Sequence, residues 1–308
     1  AYDMLRRLVG SEMCIRDSMT TILAICVSFL GAIDGIVVRI LSSDLHPFLI
    51  VFYRSLFGLI IIIPIFLRDK SVFISSYQYL HIVRAFLKIL ALTSFFLAFK
   101  SASLSDVVSI SFVTPLLIIL GSILFLNEIP TKNHIIYSLI GFIGILVILK
   151  PGFNYIPPAL YWALIGAILS ACIQLILKKM SDKDKPDTLT VWNLLCTVPL
   201  AFIPALFFWT TPSFEMFILL TIQGLIGVLN MIFITKAMSM VDISYLAPFD
   251  FLRLPIISTL AFVFFDEIPS ASTLLGALII FFSSFLISNL VSNNKKLEPL
   301  EKLLTPNS

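Results

Sequence analysis

Charge is scarce in this chain. Only 13% of its 308 residues are Asp, Glu, Lys or Arg, and 59% are hydrophobic, whereas a soluble domain is about a quarter charged and about half apolar. That balance excludes a soluble globule of this length, because most of any such surface must face water. Histidine is scarcer still. His46, His81 and His134 lie far apart near the ends of apolar runs, without metal-ligand spacing. Cys14, Cys26, Cys172 and Cys196 have no paired spacing, so they read as small hydrophobes rather than disulfides or metal ligands. The chain has no Gly-x-Ser-x-Gly elbow, no Gly-rich phosphate loop and no pair of intramembrane aspartates. We therefore expect no enzyme activity, catalytic residue, metal or cofactor. A net charge of +3 makes no case for nucleic acid.

What the chain does have is apolar stretches of membrane-spanning length. A bilayer core takes about 20 apolar residues per helix. Ten segments meet that ruler: 20–41, 46–67, 78–99, 104–126, 132–150, 158–180, 188–209, 214–237, 242–265 and 270–291. The expected class is an all-α integral membrane protein of ten transmembrane helices. Residues 1–18 are polar and lack the apolar core of a signal peptide; they are expected to be a non-native leader or a short disordered arm before Met19. Residues 292–308 form a polar tail. With the N-terminus in the cytoplasm, Arg68, Lys178, Lys183, Lys236 and the tail lysines fall inside, and only Arg39, Lys100 and Lys150 fall outside. Each of those three sits at a helix end, where it can snorkel. Both termini are expected to be cytoplasmic.

The hexapeptides FLNEIP (125–130) and FFDEIP (264–269) stand 139 positions apart, and the same offset aligns the two halves without a gap. Arg39 falls on Lys178, Arg54 on Asn193, Arg84 on Gln223. Five spans per half is an odd number, so the second copy enters the membrane upside down. Inverted repeats are typical of secondary transporters, which exchange inward-open and outward-open states around a midplane site. The EIP corners read as architectural, with Pro starting the next helix and the acid capping its positive end.

A charge at a helix centre costs about 2.5–3.5 kcal/mol on insertion scales. The charged and amide positions inside the spans are therefore the candidate site: Asp34, Arg54, Arg84, Lys88, Asp250, Arg253, Asn193 and Gln223. Arg84 and Lys88 share a helical face and repel unless an anion lies opposite, either Asp34, Asp250 or a substrate group. A structural ion-pair network is the alternative, and Arg84 is near enough to its span end to snorkel. Asp250 and Arg253 can neutralise each other. Asp34 is the proton-coupling candidate, since burial raises a carboxyl pKa. Tyr53 and Trp192 occupy equivalent repeat positions and could sandwich a flat or cationic ligand. Gln174 and Asn230 add hydrogen-bonding capacity. Pro115, Pro248 and Pro255 mark bends and candidate hinges.

Residues 19–291 resemble the drug/metabolite transporter superfamily, of the ten-helix EamA type. The resemblance rests on FYRSLFG, SLSDVVSISFVTPLLIILGSILFLNEIP and GFIGILVILKPG in the first half, and on SYLAPFDFLRLPIISTLAFVFFDEIP with TLLGALIIFFSSFLI in the second. A closer likeness, through LHPFLIVFYR, HIVRAFL, TPSFEMFILL and KAMSMVD, is to S-adenosylmethionine uptake transporters of intracellular alphaproteobacteria. The resemblance implies two five-helix repeats, 19–151 and 158–291, carrying a small polar organic solute such as an amino acid, nucleoside or S-adenosylmethionine across a bacterial inner membrane. Lipid and the small molecule are the expected partners, for either a monomer or a homodimer. The other classes left open are an intramembrane lipid-modifying enzyme and a channel or scaffold.

Overall fold

The computed structural model describes residues 2–67, 70–126, 132–149, 157–240, 252–283 and 285–286. Among these the chain is helical, with no strand. The helices are α1 (Tyr2–Leu41), α2 (Pro47–Phe66), α3 (Gln78–Ser101), α4 (Leu104–Ser111), α5 (Val113–Leu126), α6 (Lys132–Leu149), α7 (Pro158–Met180), α8 (Pro186–Phe207), α9 (Phe214–Met240), α10 (Arg253–Phe265) and α11 (Ala271–Ser283), with a 3-10 turn at Lys70–Phe73. The expected leader is helical from Tyr2 rather than a disordered arm. Glu128, Pro248, Asp250 and the tail 292–308 lie outside the described residues.

Among the described residues, six stretches are long and apolar enough to cross a membrane: Met19–Leu41, Pro47–Pro64, Gln78–Ser101, Pro158–Met180, Pro186–Phe207 and Phe214–Ala237. Large apolar residues stand on the outside, among them Ile60, Phe207, Phe214, Val263 and Leu275. Such an exterior suits hydrocarbon, where helices associate through packing and polar contacts rather than by escaping water. The chain is an integral membrane protein.

Helix starts follow local chemistry. Pro47, Pro158 and Pro186 each occupy a first helical position, where a missing N–H costs nothing and the ring presets φ. Pro47 and Pro186 are 139 apart, so the repeat register holds at a cap. The expected single span 104–126 is instead two helices, α4 and α5, interrupted at Phe112. Pro115 is the third residue of α5, and Pro255 the third of α10. A proline deeper in a helix would break a backbone hydrogen bond and clash with the preceding turn. In both halves a described helix starts two residues ahead of the proline, at Val113 and at Arg253.

The halves pack through exchanged pairs. α3 lies on α7 as α1 lies on α9; α3 meets α8 as α2 meets α9; α5 meets α7 as α1 meets α10; and α2 meets α8, its own counterpart. Glycines permit the closest approaches. A Cβ on Gly224 would stand 2.6 Å from Phe57 Cβ and 3.0 Å from the Gly58 nitrogen, so α2 and α9 nearly touch there. On α6 and α11, a Cβ on Gly144 would meet the Gly276 carbonyl at 2.8 Å, and one on Gly276 the Gly144 carbonyl at 2.6 Å. Small residues that bring backbones together are the usual means of helix association in lipid.

The same corners also meet at each end, with different chemistry. At one end Asp184, between α7 and α8, accepts hydrogen bonds from the Ser76 amide (2.9 Å) and Ser75 Oγ (2.5 Å), and pairs with His81 Nε2 at 3.3 Å. Burial pushes the Asp184 carboxyl up, but those three partners outweigh it and hold it below its ordinary value. At the other end, His46 between α1 and α2 stacks on Phe208 with centroids 3.8 Å apart.

Candidate functional site

Within the bundle lies a cavity of about 330 Å³, bordered by α1, α2, α3, α4, α7, α8, α9 and α10. That is the lower range for a small-molecule site. Four cationic residues line it, Arg54, Arg84, Lys88 and Arg253, and among the described residues Asp34 is the carboxylate that faces them.

Asp34 is fully engaged. Arg54 Nη1 donates to its Oδ2 at 2.9 Å, and Gln223 Nε2 donates to its Oδ1 at 3.0 Å. Gln223 is itself completely buried. A carboxylate between a guanidinium and an amide forms a cross-repeat knot of α1, α2 and α9. Gly227 makes room for it, since a Cβ there would stand 2.7 Å from Arg54 Nε. Gly31 does the same for Arg253, whose Nε is 3.2 Å from the position its Cβ would take.

Arg84 differs from Arg54. It is 2% exposed and lines the cavity, so it does not snorkel to a membrane surface. Its Nε and Nη1 have no hydrogen-bond partner among the described residues. Lys88, one turn along α3, shares the wall. The cavity is also lined by acceptors without a partner among the described residues, Gln174 Oε1 and Asn193 Oδ1. Phe95, Phe96 and Phe99 supply an apolar face. Asn230 lines the wall while donating to the Val27 carbonyl at 3.2 Å, tying α9 to α1.

The structure thus brings together Asp34, Arg54, Arg84, Lys88, Asn193 and Arg253 on the cavity wall, with Gln223 directly behind Asp34. It does not bring Tyr53 and Trp192 together. Tyr53 packs among Phe52, Phe57 and Trp209, with centroids 5.4, 5.8 and 5.8 Å away. Trp192 stacks on His81 at 5.3 Å and donates from Nε1 to the Phe73 carbonyl at 3.1 Å. Neither borders the cavity, so the expected aromatic sandwich is absent. The physical reason is helical: adjacent residues point about 100° apart, so sequence neighbours of Arg54 and Asn193 lie on other faces.

Sequence reasoning also missed a clasp at the end bearing the second EIP corner. Arg39 does not snorkel. Its Nη2 donates to Glu267 Oε1 at 2.9 Å, and its Nη1 donates to the carbonyls of Phe99 and Ala102. Glu267 Oε2 accepts from the Leu104 amide at 2.9 Å, so it caps α4 of the first half rather than the helix that follows it. That next helix is served by Ser270, whose Oγ accepts from the Thr273 amide at 3.2 Å. Asp266, left-handed at φ 54°, turns the corner at the end of α10, a conformation that Asp tolerates better than most residues. The available signal was the offset itself: both EIP acids have a basic residue at matched positions, Arg39 and Lys178.

The chain can now be set beside known proteins. The model of the EamA-like transporter family matches it twice, over residues 18–150 and 157–289. The S-adenosylmethionine uptake transporter of Rickettsia felis is 31% identical over 248 residues, covering 80% of this chain and 84% of its own. The riboflavin transporter of Rhizobium johnstonii is 28% identical, covering 72% of this chain and 74% of its own. The pseudopaline exporter CntI of Pseudomonas aeruginosa is 26% identical over 84% and 92% respectively. A solved crystal structure superposes with a TM-score of 0.65 at 18% identity, covering 90% of this chain and 98% of its own, which shows a shared fold. The chain belongs to the EamA-like transporter family.

Proposed function

We propose that the chain is an alternating-access carrier of a small polar metabolite in a bacterial inner membrane. It crosses the bilayer ten times as two five-helix repeats of opposite orientation, 19–151 and 158–291. Both termini face the cytoplasm, and residues 1–18 are a leader outside the repeats. The observation that carries this reading is the exchanged packing of the halves around one charged cavity. A pair of inverted copies can swap conformations, closing one end while opening the other about a fixed midplane site. Pro115 and Pro255, each in the first turn of its helix, are the natural places for that motion to bend the backbone; Pro248 is a third. The relatives import S-adenosylmethionine, move riboflavin or export pseudopaline, and solutes of that size and polarity are the class proposed here.

Reconstituted into vesicles, the protein is expected to take up S-adenosylmethionine or riboflavin saturably, with uptake accelerated when the same solute is preloaded on the opposite side. Non-saturating flux without counterflow would instead indicate a channel, and product formed from the vesicle lipid an enzyme.

A further inference from the structure

Arg84 is a difficult residue to account for structurally. It carries a full positive charge in a protein interior, is 2% exposed, and leaves Nε and Nη1 unfilled among the described residues. Buried charges are ordinarily paired and buried polar atoms ordinarily bonded. The cavity's described carboxylate offers no relief, because Asp34 is taken up by Arg54 and Gln223. Lys88 lies four residues on along the same helix and borders the same cavity, so its charge adds to that of Arg84 rather than cancelling it. Gln174 and Asn193, lining the same cavity, present carbonyl oxygens unfilled among the described residues, which call for N–H or O–H donors.

We infer that Arg84 and Lys88 form an anion site on the α3 wall, holding a carboxylate or phosphate of the transported solute, while Gln174 and Asn193 accept from its amine, amide or hydroxyl groups. This rests on the cavity being the transport site and narrows its substrate class to solutes that carry both an anionic group and donors. A guanidinium edge suits either anion, since Nε and one Nη together match two oxygens in a bidentate grip. Arg54 differs from Arg84 in that its charge is already paired, through Nη1, with Asp34. The inverted mates of Arg84 and Lys88 are Gln223 and Gly227, which form and house the Asp34–Arg54 knot. The equivalent positions in the two copies thus do different work, two cations on α3 and an amide and a glycine on α9.

Two matched pairs of probes test this: S-adenosylmethionine against its decarboxylated form, and riboflavin 5′-phosphate against riboflavin. The carboxylate arm and the phosphate arm separate the two anion sources. In each pair the anion-bearing member is expected to raise the melting temperature of the purified protein more than its partner does, in at least one arm. Arg84→Met should weaken that binding at least about 30-fold, the usual loss when one partner of a buried charged hydrogen bond is truncated. Arg84→Lys should restore part of it. Without ligand, Arg84→Met should melt at or above the wild-type temperature, because it removes an unpaired buried charge. A ligand-free protein that melts well below wild type would make Arg84 a structural residue and overturn the inference. So would saturable uptake of riboflavin that Arg84→Met and Lys88→Met both leave unchanged, a result that keeps the transport reading intact.

Discussion

Asp34→Ala is expected to abolish transport and to lower the unfolding free energy by about 3 kcal/mol, toward the low end for breaking a buried ion pair. The carboxylate accepts from Arg54 and Gln223, and the ion-paired side chains are only 13% and 14% exposed. Its removal leaves a guanidinium and an amide facing the cavity with nothing to bind. Removing one partner of such a pair is much worse than replacing both with apolar groups of similar size. The double variant Asp34→Leu/Arg54→Met should accordingly recover most of the lost stability and none of the transport. Thermal melting in detergent and vesicle uptake read the two effects separately. A single variant as stable as wild type, or a double variant less stable than the single, would contradict the knot as described.

The second large effect is conformational. Glu267→Gln breaks the ion pair to Arg39 and weakens the cap on α4, the two contacts that draw α1, the α3–α4 junction and the α10–α11 corner together. A charge-assisted hydrogen bond contributes about 1.5–3 kcal/mol, so the closed-to-open equilibrium at that end should shift roughly 10- to 150-fold toward open. Arg39 lies five residues beyond Asp34 on α1, or about 7.5 Å along the helix, and does not line the cavity, so the clasp would act on this end without touching the cavity's contents. The variant should fold with near-native stability. A cysteine introduced at Phe99, on the cavity wall between the clasp and Arg84, should react much faster with a water-soluble maleimide in the Glu267→Gln background. Equal labelling rates in both backgrounds would remove the clasp from the gating of this end.

Much of this was legible because membranes simplify the rules. Apolar length located six membrane-length helices among the described residues, and a constant offset of 139 related one half to the other, down to Pro47 and Pro186 at matching caps. The expense of charge in hydrocarbon picked out Asp34, Arg54, Arg84, Lys88 and Arg253 before any coordinates, and all five border one cavity. What the sequence did not reveal was pairing. Asp34 was one of three candidate anions for the cations of α3, and its hydrogen bonds go to Arg54 and Gln223, because helix rotation decides which of several donors a carboxylate meets. Arg39 and Glu267 are 228 residues apart, and each has an innocent local reading as a snorkelling end and a turn. Gly227 is invisible as a site residue in sequence, since its role is the space it leaves for Arg54. The break at Phe112 was hidden by continuous hydrophobicity on either side, although Pro115 hinted at it.

In the carrier proposed above, opposed orientation of the two copies underlies the exchange of states, and one pair of corners reads it directly. Asp44, between α1 and α2, and Lys183, between α7 and α8, are 139 apart and both exposed. With the native cysteines replaced by alanine, Asp44→Cys and Lys183→Cys should be labelled by a membrane-impermeant maleimide from opposite faces of the bilayer: Asp44→Cys in intact cells, Lys183→Cys only after permeabilisation. Labelling of both from the same face would mean parallel copies and would contradict the account at its base.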